Sequence, residues 1–137
     1  MTRIDFHTNV GDRLTYACRL TRKAYAAGQT VVVWGDAPTL ADFDAALWTF
    51  APLEFVPHCT GDSALAGETP VVLTPDLNSA PHHAILLNLH VEVPAQFARF
   101  ERLLEVVGDA PDQLSAGRER YRFYRDRGYP LTNHKQG

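Results

Sequence analysis

The stretch Thr30–Asp36, with the sequence TVVVWGD, decides the fold class of this chain. Three consecutive valines followed by turn-forming residues predict a short strand that is buried on both faces, as strands of a parallel sheet are. Two further runs, Val71–Leu73 and Ile85–Leu89, have the same apolar character. Such runs alternating with segments of helical periodicity predict an α/β protein.

The N-terminal half of the sequence follows this alternation of strands and helices. Arg3–Val10 is predicted to be the first strand, and apolar residues then recur at helical spacing until Gly28, which can end the helix in the left-handed conformation. A second helix is expected from Thr39, as its N-cap, to Phe50. The stretch Cys59–Pro70 is predicted to be a surface loop.

Two more helices are expected in the C-terminal part. One should begin at Pro94, carry an apolar stripe from Phe97 to Val107 and end at Gly108. The last should span Pro111–Arg127 and stop before Gly128. The whole pattern predicts one domain, residues 1–137, folded as a three-layer α/β/α sandwich around a mainly parallel sheet.

Composition excludes several classes of protein. With 137 residues, of which 45% are apolar, the chain can bury a core, so global disorder is excluded. No apolar run approaches the roughly 20 residues of a membrane span. The N-terminus lacks the apolar stretch of a signal peptide, which predicts a cytoplasmic protein. Cys18 and Cys59 make no disulfide framework and are expected to be reduced thiols.

Charge is strongly segregated along the chain. Residues 29–98 contain no lysine or arginine but carry eight acidic residues. Residues 118–127 contain five arginines against Glu119 and Asp126, the densest positive cluster of the sequence. Such segregation determines which partners can approach which surface.

No motif for catalysis, a nucleotide or a metal is present. The residues after the first strand, His7–Arg13, lack the several glycines that a phosphate-binding loop needs. The pairs His58-Cys59 and His82-His83 lack the spacing that places metal ligands on one side. Cys59 has no sequence context typical of a nucleophile. The chain is therefore expected to have no catalytic residues, no cofactor and no metal.

The last helix is the strongest candidate for a binding site. At 100° per residue, four side chains fall within an arc of about 100°: Arg118, Tyr121, Arg122 and Arg125. Guanidinium groups beside a phenol ring can pair with carboxylates and stack on an aromatic group. The alternatives are a solvated basic face and a surface that binds nucleic-acid phosphates. Because the sequence pI is about 6.0, an acidic peptide is favoured over a nucleic-acid track.

Trp48 and Phe55 form a second candidate site. Trp48 lies beside the apolar face of its helix and outside the centre of that face, so we expect it at a protein interface. Phe55 suits an interface and core packing equally well. The absence of nearby basic residues favours an apolar contact.

Several of these stretches resemble the chi subunit family of bacterial DNA polymerase III. The central signature is carried by FDAALW and FVPH, and the closing motif by RERYRFYR. The matching stretches, in chain order, are Phe43–Trp48, Phe55–His58, Gly67–Val71, Ile85–Leu89, Arg118–Arg125, Gly128–Tyr129 and Leu131. The resemblance covers nearly the whole chain and keeps the order of the motifs.

The resemblance implies a Rossmann-like fold without a nucleotide-binding loop and a non-catalytic accessory subunit of the polymerase holoenzyme. Members of the family pair with the psi subunit, which joins them to the clamp loader, and hold the acidic C-terminal tail of single-stranded-DNA-binding protein. By position, the tail-binding residues are Arg118, Tyr121, Arg122 and Arg125. Trp48 and Phe55 correspond to the psi contact. The alternative function is a direct nucleic-acid-binding module that uses the last helix.

Overall fold

The computed structural model describes residues 1–50 and 56–136. The helices are α1 (Arg13–Ala26), α2 (Ala37–Phe50) and α3 (Pro111–Asp126). The strands are β1 (Arg3–Val10), β2 (Val31–Trp34), β3 (His58–Thr60), β4 (Val71–Thr74), β5 (Ile85–Asn88), β6 (Arg102–Gly108) and β7 (Leu131–Lys135).

The strands form one parallel sheet in the order β3-β4-β2-β5-β6-β1-β7. The valines of β2 pair with β4 on one side and with β5 on the other. Val31, Val32 and Val33 are at most 1% exposed because helices or turns cover both faces of this central strand. The parallel sheet that this apolar run predicts is confirmed.

Helices lie on both sides of the sheet, which confirms the three-layer sandwich. On one face, α1 and α2 pack together over a mainly aliphatic core that also contains Phe43. On the other face, α3 packs over an aromatic-rich core with Phe6, Phe97 and Tyr124. Among the described residues, no helix combines the length and the apolar character that crossing a membrane requires.

The ends of the first two helices follow from local hydrogen bonding. Asp12 caps α1 by accepting a hydrogen bond from the backbone N–H of Thr15, and Gly28, with φ of +79°, follows its C-terminus. The expected N-cap of α2 at Thr39 is wrong. The helix begins at Ala37 because Asp36 Oδ1 accepts from the Thr39 backbone N–H at 2.8 Å.

The helix expected from Pro94 to Gly108 is also wrong. A short 3-10 turn, Phe97–Arg99, precedes strand β6, which lies between β5 and β1. A strand buried on both faces has no alternation of apolar and polar residues, and its leucines and valines fell by chance on a helical stripe. The expected loop Cys59–Pro70 overlaps β3 and contains a 3-10 turn at Ala66–Glu68.

Helix α3 approaches the sheet most closely at Gly117. A Cβ atom there would lie 2.8 Å from Cγ1 and 2.9 Å from Cγ2 of Val107, which is 3% exposed. These distances are shorter than normal carbon–carbon contacts, so a methyl group would push the helix outward. Glycine is therefore required here by packing.

We predict that Gly117→Ala lowers the free energy of unfolding by about 1 kcal/mol, because an overpacking cost of about 1–3 kcal/mol exceeds the helix-propensity gain of about 1 kcal/mol. Chemical denaturation measures this change. In a Val107→Ala background the added methyl group has room, so the same exchange should be neutral or stabilising. An equal cost in both backgrounds would contradict the packing argument.

Candidate functional site

A buried carboxylate fixes the orientation of α3. Glu105 is fully buried and accepts hydrogen bonds from Arg120 Nε at 2.9 Å and Tyr124 Oη at 2.6 Å. Asn88 Nδ2 lies 3.1 and 3.0 Å from its two oxygens. Burial raises the pKa of Glu105, and these donors offset that effect in part. Arg120 therefore belongs to the interior, and four rather than five arginines of residues 118–127 contribute to the surface.

The three predicted arginines lie on the outward side of α3, and Tyr121 lies between that side and the sheet. Arg118, Arg122 and Arg125 are exposed, and Tyr121 is half-buried. Arg122 Nη1 lies 3.6 Å from Glu119 Oε1, and Arg125 Nη2 lies 3.2 Å from Asp126 Oδ1. In both pairs the two side chains are more than half exposed. Surface pairs of this kind are weak, so these guanidinium groups are available to a partner.

A cavity of about 340 Å³ adjoins this face of α3. It lies between α3, β1 and β7, and its lining residues are Phe6, Thr8, Val107, Leu114, Gly117, Arg118, Tyr121 and Asn133. The Tyr121 ring meets the Phe6 ring edge-on with centroids 5.1 Å apart. Arg118 makes no hydrogen bond or ion pair with the other described residues. The cavity combines an apolar floor with one available cation.

Trp48, the second predicted site, is 54% exposed on α2. Its ring lies 4.7 Å from the ring of His58. Each ring nitrogen of His58 contacts an oxygen acceptor. Nδ1 lies 2.7 Å from Val56 O, and Nε2 lies 2.8 Å from Asp44 Oδ1. The fixed imidazole supports an exposed tryptophan. Phe55, the other predicted residue, lies outside the described residues.

A second cavity, which the sequence did not predict, lies at the N-terminal half of α2. Its volume is about 510 Å³, and Leu40 and Leu73 contribute apolar surface. Three carboxylates, Asp44, Asp62 and Asp76, also line it. Asp44 connects this cavity to the Trp48 surface through His58. The region therefore presents apolar surface and negative charge together.

Within residues 1–50 and 56–136, no group of three or more His, Cys, Asp or Glu side chains is placed to hold a metal ion. Cys18 is fully buried, and burial raises the pKa of its thiol to about 12, so it is not a nucleophile. Cys59 is half-buried in β3. Both cysteines are free thiols.

Comparison with known proteins identifies the family. The family model described as "DNA polymerase III chi subunit, HolC" matches residues 1–132. The chain belongs to this family. A protein of Pseudomonas aeruginosa named DNA polymerase III subunit chi is 35% identical over 140 residues, which cover 98% of this chain and 97% of that protein. A Haemophilus influenzae protein of the same name is 27% identical over 123 residues, covering 88% and 85%.

Family membership confirms the resemblance found in the sequence. The chi subunit is a component of DNA polymerase III, so this chain takes part in DNA replication in association with the polymerase complex.

One cluster of titratable side chains was missed entirely by the sequence reasoning. His7 Nδ1 lies 2.7 Å from Tyr16 Oη, and the His7 ring stacks on His134 with centroids 4.6 Å apart. His134 Nε2 lies 3.1 Å from Asp5 Oδ1, and Arg102 Nε donates to Asp5 Oδ2 at 2.7 Å. The cluster joins both ends of the chain because β7 pairs with β1, a contact that no local pattern signals.

Burial controls the protonation of this cluster. Desolvation lowers the pKa of His7 from 6.5 to about 4, with a contribution from the charge of His134. Burial raises the pKa of Asp5, but the hydrogen bonds from Arg102 and His134 outweigh that effect, and the net shift is downward. His7 is therefore neutral at pH 7, and His7 Nε2 is buried without a hydrogen-bond partner in the described structure.

We predict that stability falls as the pH is lowered from about 6.5 to about 4. In this interval the unfolded chain binds a proton at His7 and the folded chain does not, because the pKa of His7 is 6.5 in one state and about 4 in the other. The loss should be about 2 kcal/mol after allowance for solvent screening. Urea unfolding over this pH range measures it. His7→Asn should flatten the profile, and an unchanged slope would contradict the assignment.

Proposed function

We propose that this chain links DNA polymerase III to single-stranded-DNA-binding protein by holding the acidic C-terminal tail of that protein on α3. The observation that carries the proposal is the cavity of about 340 Å³ beside Tyr121, which Arg118 also lines. Arg122 and Arg125 lie on the same exposed helix face. The site thus offers a hollow for one apolar group and several cations for carboxylates.

The parts of such a tail fit these features individually. A terminal aromatic ring would enter the cavity against Phe6 and Leu114, and its free carboxylate would pair with Arg118. Preceding aspartates would pair with Arg122 and Arg125, which are exposed on the next turns. Exposed charge pairs contribute about 0–1 kcal/mol each and weaken with salt. Micromolar affinity, about 8 kcal/mol, is therefore expected.

We predict that Arg118→Ala and Arg122→Ala each weaken the binding of an acidic peptide that ends in phenylalanine by up to about fivefold, because each removes one exposed charge pair of about 0–1 kcal/mol. Titration calorimetry measures the affinity. Amidation of the peptide's C-terminus should remove the effect of Arg118→Ala, because the charge that Arg118 pairs with is then absent.

Arg127→Ala is the matched control for these variants. Its guanidinium lies 3.5 Å from the centre of the Phe123 ring, and the residue is exposed on the same helix end without lining the cavity. Equal weakening by all three variants would show attraction by net charge only. Steeply salt-dependent binding of bare oligonucleotides, without affinity for the peptide, would instead favour the nucleic-acid-binding alternative.

We also propose that the Trp48 surface, together with Phe55, pairs with the psi subunit and through it with the clamp loader. Among the described residues, Trp48 is the most exposed large aromatic side chain, at 54%. The adjacent cavity is apolar and carries Asp44, Asp62 and Asp76. No lysine or arginine occurs in residues 29–98. The complementary partner surface is apolar with basic residues at its edge.

We predict that Trp48→Ala weakens association with the psi subunit about thirtyfold or more, because an interfacial tryptophan typically contributes about 2 kcal/mol or more. The free energy of unfolding should change little, since the side chain is mainly exposed. Tyr25→Ala, which truncates an exposed aromatic residue of α1, is the control. Co-purification and calorimetry measure the association, and unchanged affinity of the Trp48 variant would overturn the assignment.

A further inference from the structure

A third cavity, of about 410 Å³, lies on the sheet face that carries α1. Helix α1 packs on β6 and β2, and α2 packs on β4. The same face of β1 and β7 therefore lies beside α1 rather than beneath it. His7 and His134, which are register neighbours on β1 and β7, contribute to the wall. This cavity is separate from the tail site, because α3 covers the opposite face.

The cavity wall carries positive charge and hydrogen-bond donors. Lys23 and Arg102 line it, and no carboxylate occurs among its described lining residues. The other polar lining residues are His7, Tyr16, Gln29, His134 and Gln136. A remaining part of the wall is apolar and is formed by Leu20, Ala24, Ala27, Ile85 and Leu104.

One acid beside this wall, Asp5, forms an ion pair with Arg102 and so offsets one of its positive charges. Asp5 lies behind it, with one oxygen accepting from Arg102 Nε and the other 3.1 Å from His134 Nε2. Both oxygens are thus already engaged, so a metal ion would have to displace these contacts. Lys23 is exposed and has no such carboxylate partner in the described structure. The net positive charge left for a ligand is therefore that of Lys23, and Arg102 contributes the N–H groups that Asp5 does not occupy.

The polar wall lowers the stability of the fold, which distinguishes it from an ordinary solvated sheet face. His7 is only 7% exposed, and its Nε2 atom has neither a protein partner nor solvent contact. Burying a polar atom without a partner costs about 1–3 kcal/mol. The opposite face of the same strand carries Ile4 and Phe6 in an apolar core. Stability alone would favour apolar residues here as well.

We propose that this cavity binds a small organic phosphate of mononucleotide size, with its phosphate group between Lys23 and Arg102. Donors approach from α1, β6 and the segment after β7, so they suit an oxyanion with oxygens pointing in several directions. The apolar wall faces the organic part of the ligand. The volume lies within the range of about 300–1,000 Å³ of small-molecule sites.

Titration calorimetry with the full chain tests the proposal, using dAMP, inorganic phosphate and adenosine as probes. We expect saturable binding of dAMP, weaker binding of phosphate and none of adenosine. Signals of the His7 and His134 imidazoles should shift on titration in an NMR spectrum. Adenosine binding equal to that of dAMP, or the absence of saturable dAMP binding, would overturn the proposal.

Lys23→Gln and Arg19→Gln form a matched pair of variants. Both residues are exposed on α1, but Arg19 does not line this cavity. Lys23→Gln should weaken dAMP binding roughly fivefold, as the loss of one partly exposed charge-assisted contact does. Arg19→Gln should leave it unchanged. Equal weakening by both would overturn the proposal. Unchanged binding of the acidic tail peptide by Lys23→Gln shows that the variant is folded and that the two sites are separate.

Discussion

The hydrogen-bonded contact between Glu105 and Arg120 is the interaction on which the rest of the structure depends. A carboxylate with no exposed surface is tolerated only with donors around it, and Arg120, Tyr124 and Asn88 supply them. These donors come from α3 and β5, so the contact fixes the rotation of α3 on the sheet. Once Arg120 and Tyr124 face inward, helical spacing turns Arg118, Arg122 and Arg125 outward.

The two proposed protein-binding surfaces lie on opposite faces of the sheet and have opposite charge. The arginine face of α3 is suited to carboxylates, whereas the surface of α2 is apolar with three nearby aspartates. A chain with this distribution can hold two partners of different chemistry without competition between them. Under the proposed function, weak and salt-dependent capture on α3 would allow one partner to be released while the other is kept.

Local signals allowed much of the fold to be predicted, and long-range contacts explain the failures. The valine run of β2 and the glycine after α1 each reflect their immediate surroundings. Strand β6 was wrongly predicted to be helical because it is buried on both faces and so lacks the alternation that marks a strand, and the partners that bury Glu105 within it are remote in sequence. The arginine face followed from helical spacing alone. The cavity beside it did not, because Phe6 and Asn133 come from opposite ends of the chain.

Strand β1 explains how the tail cavity and the charged cavity can coexist in so small a protein. Successive residues of a strand point to opposite faces, so Phe6 packs beneath α3 while His7 faces the α1 side. One strand thereby contributes to the floors of two cavities that share no side chain. The apolar face stabilises α3 through burial, whereas the polar face is held to its neighbours by hydrogen bonds and an ion pair. His7 on that polar face contacts Tyr16 and His134 but leaves Nε2 buried without a partner, and the proposed phosphate site supplies a reason for this cost.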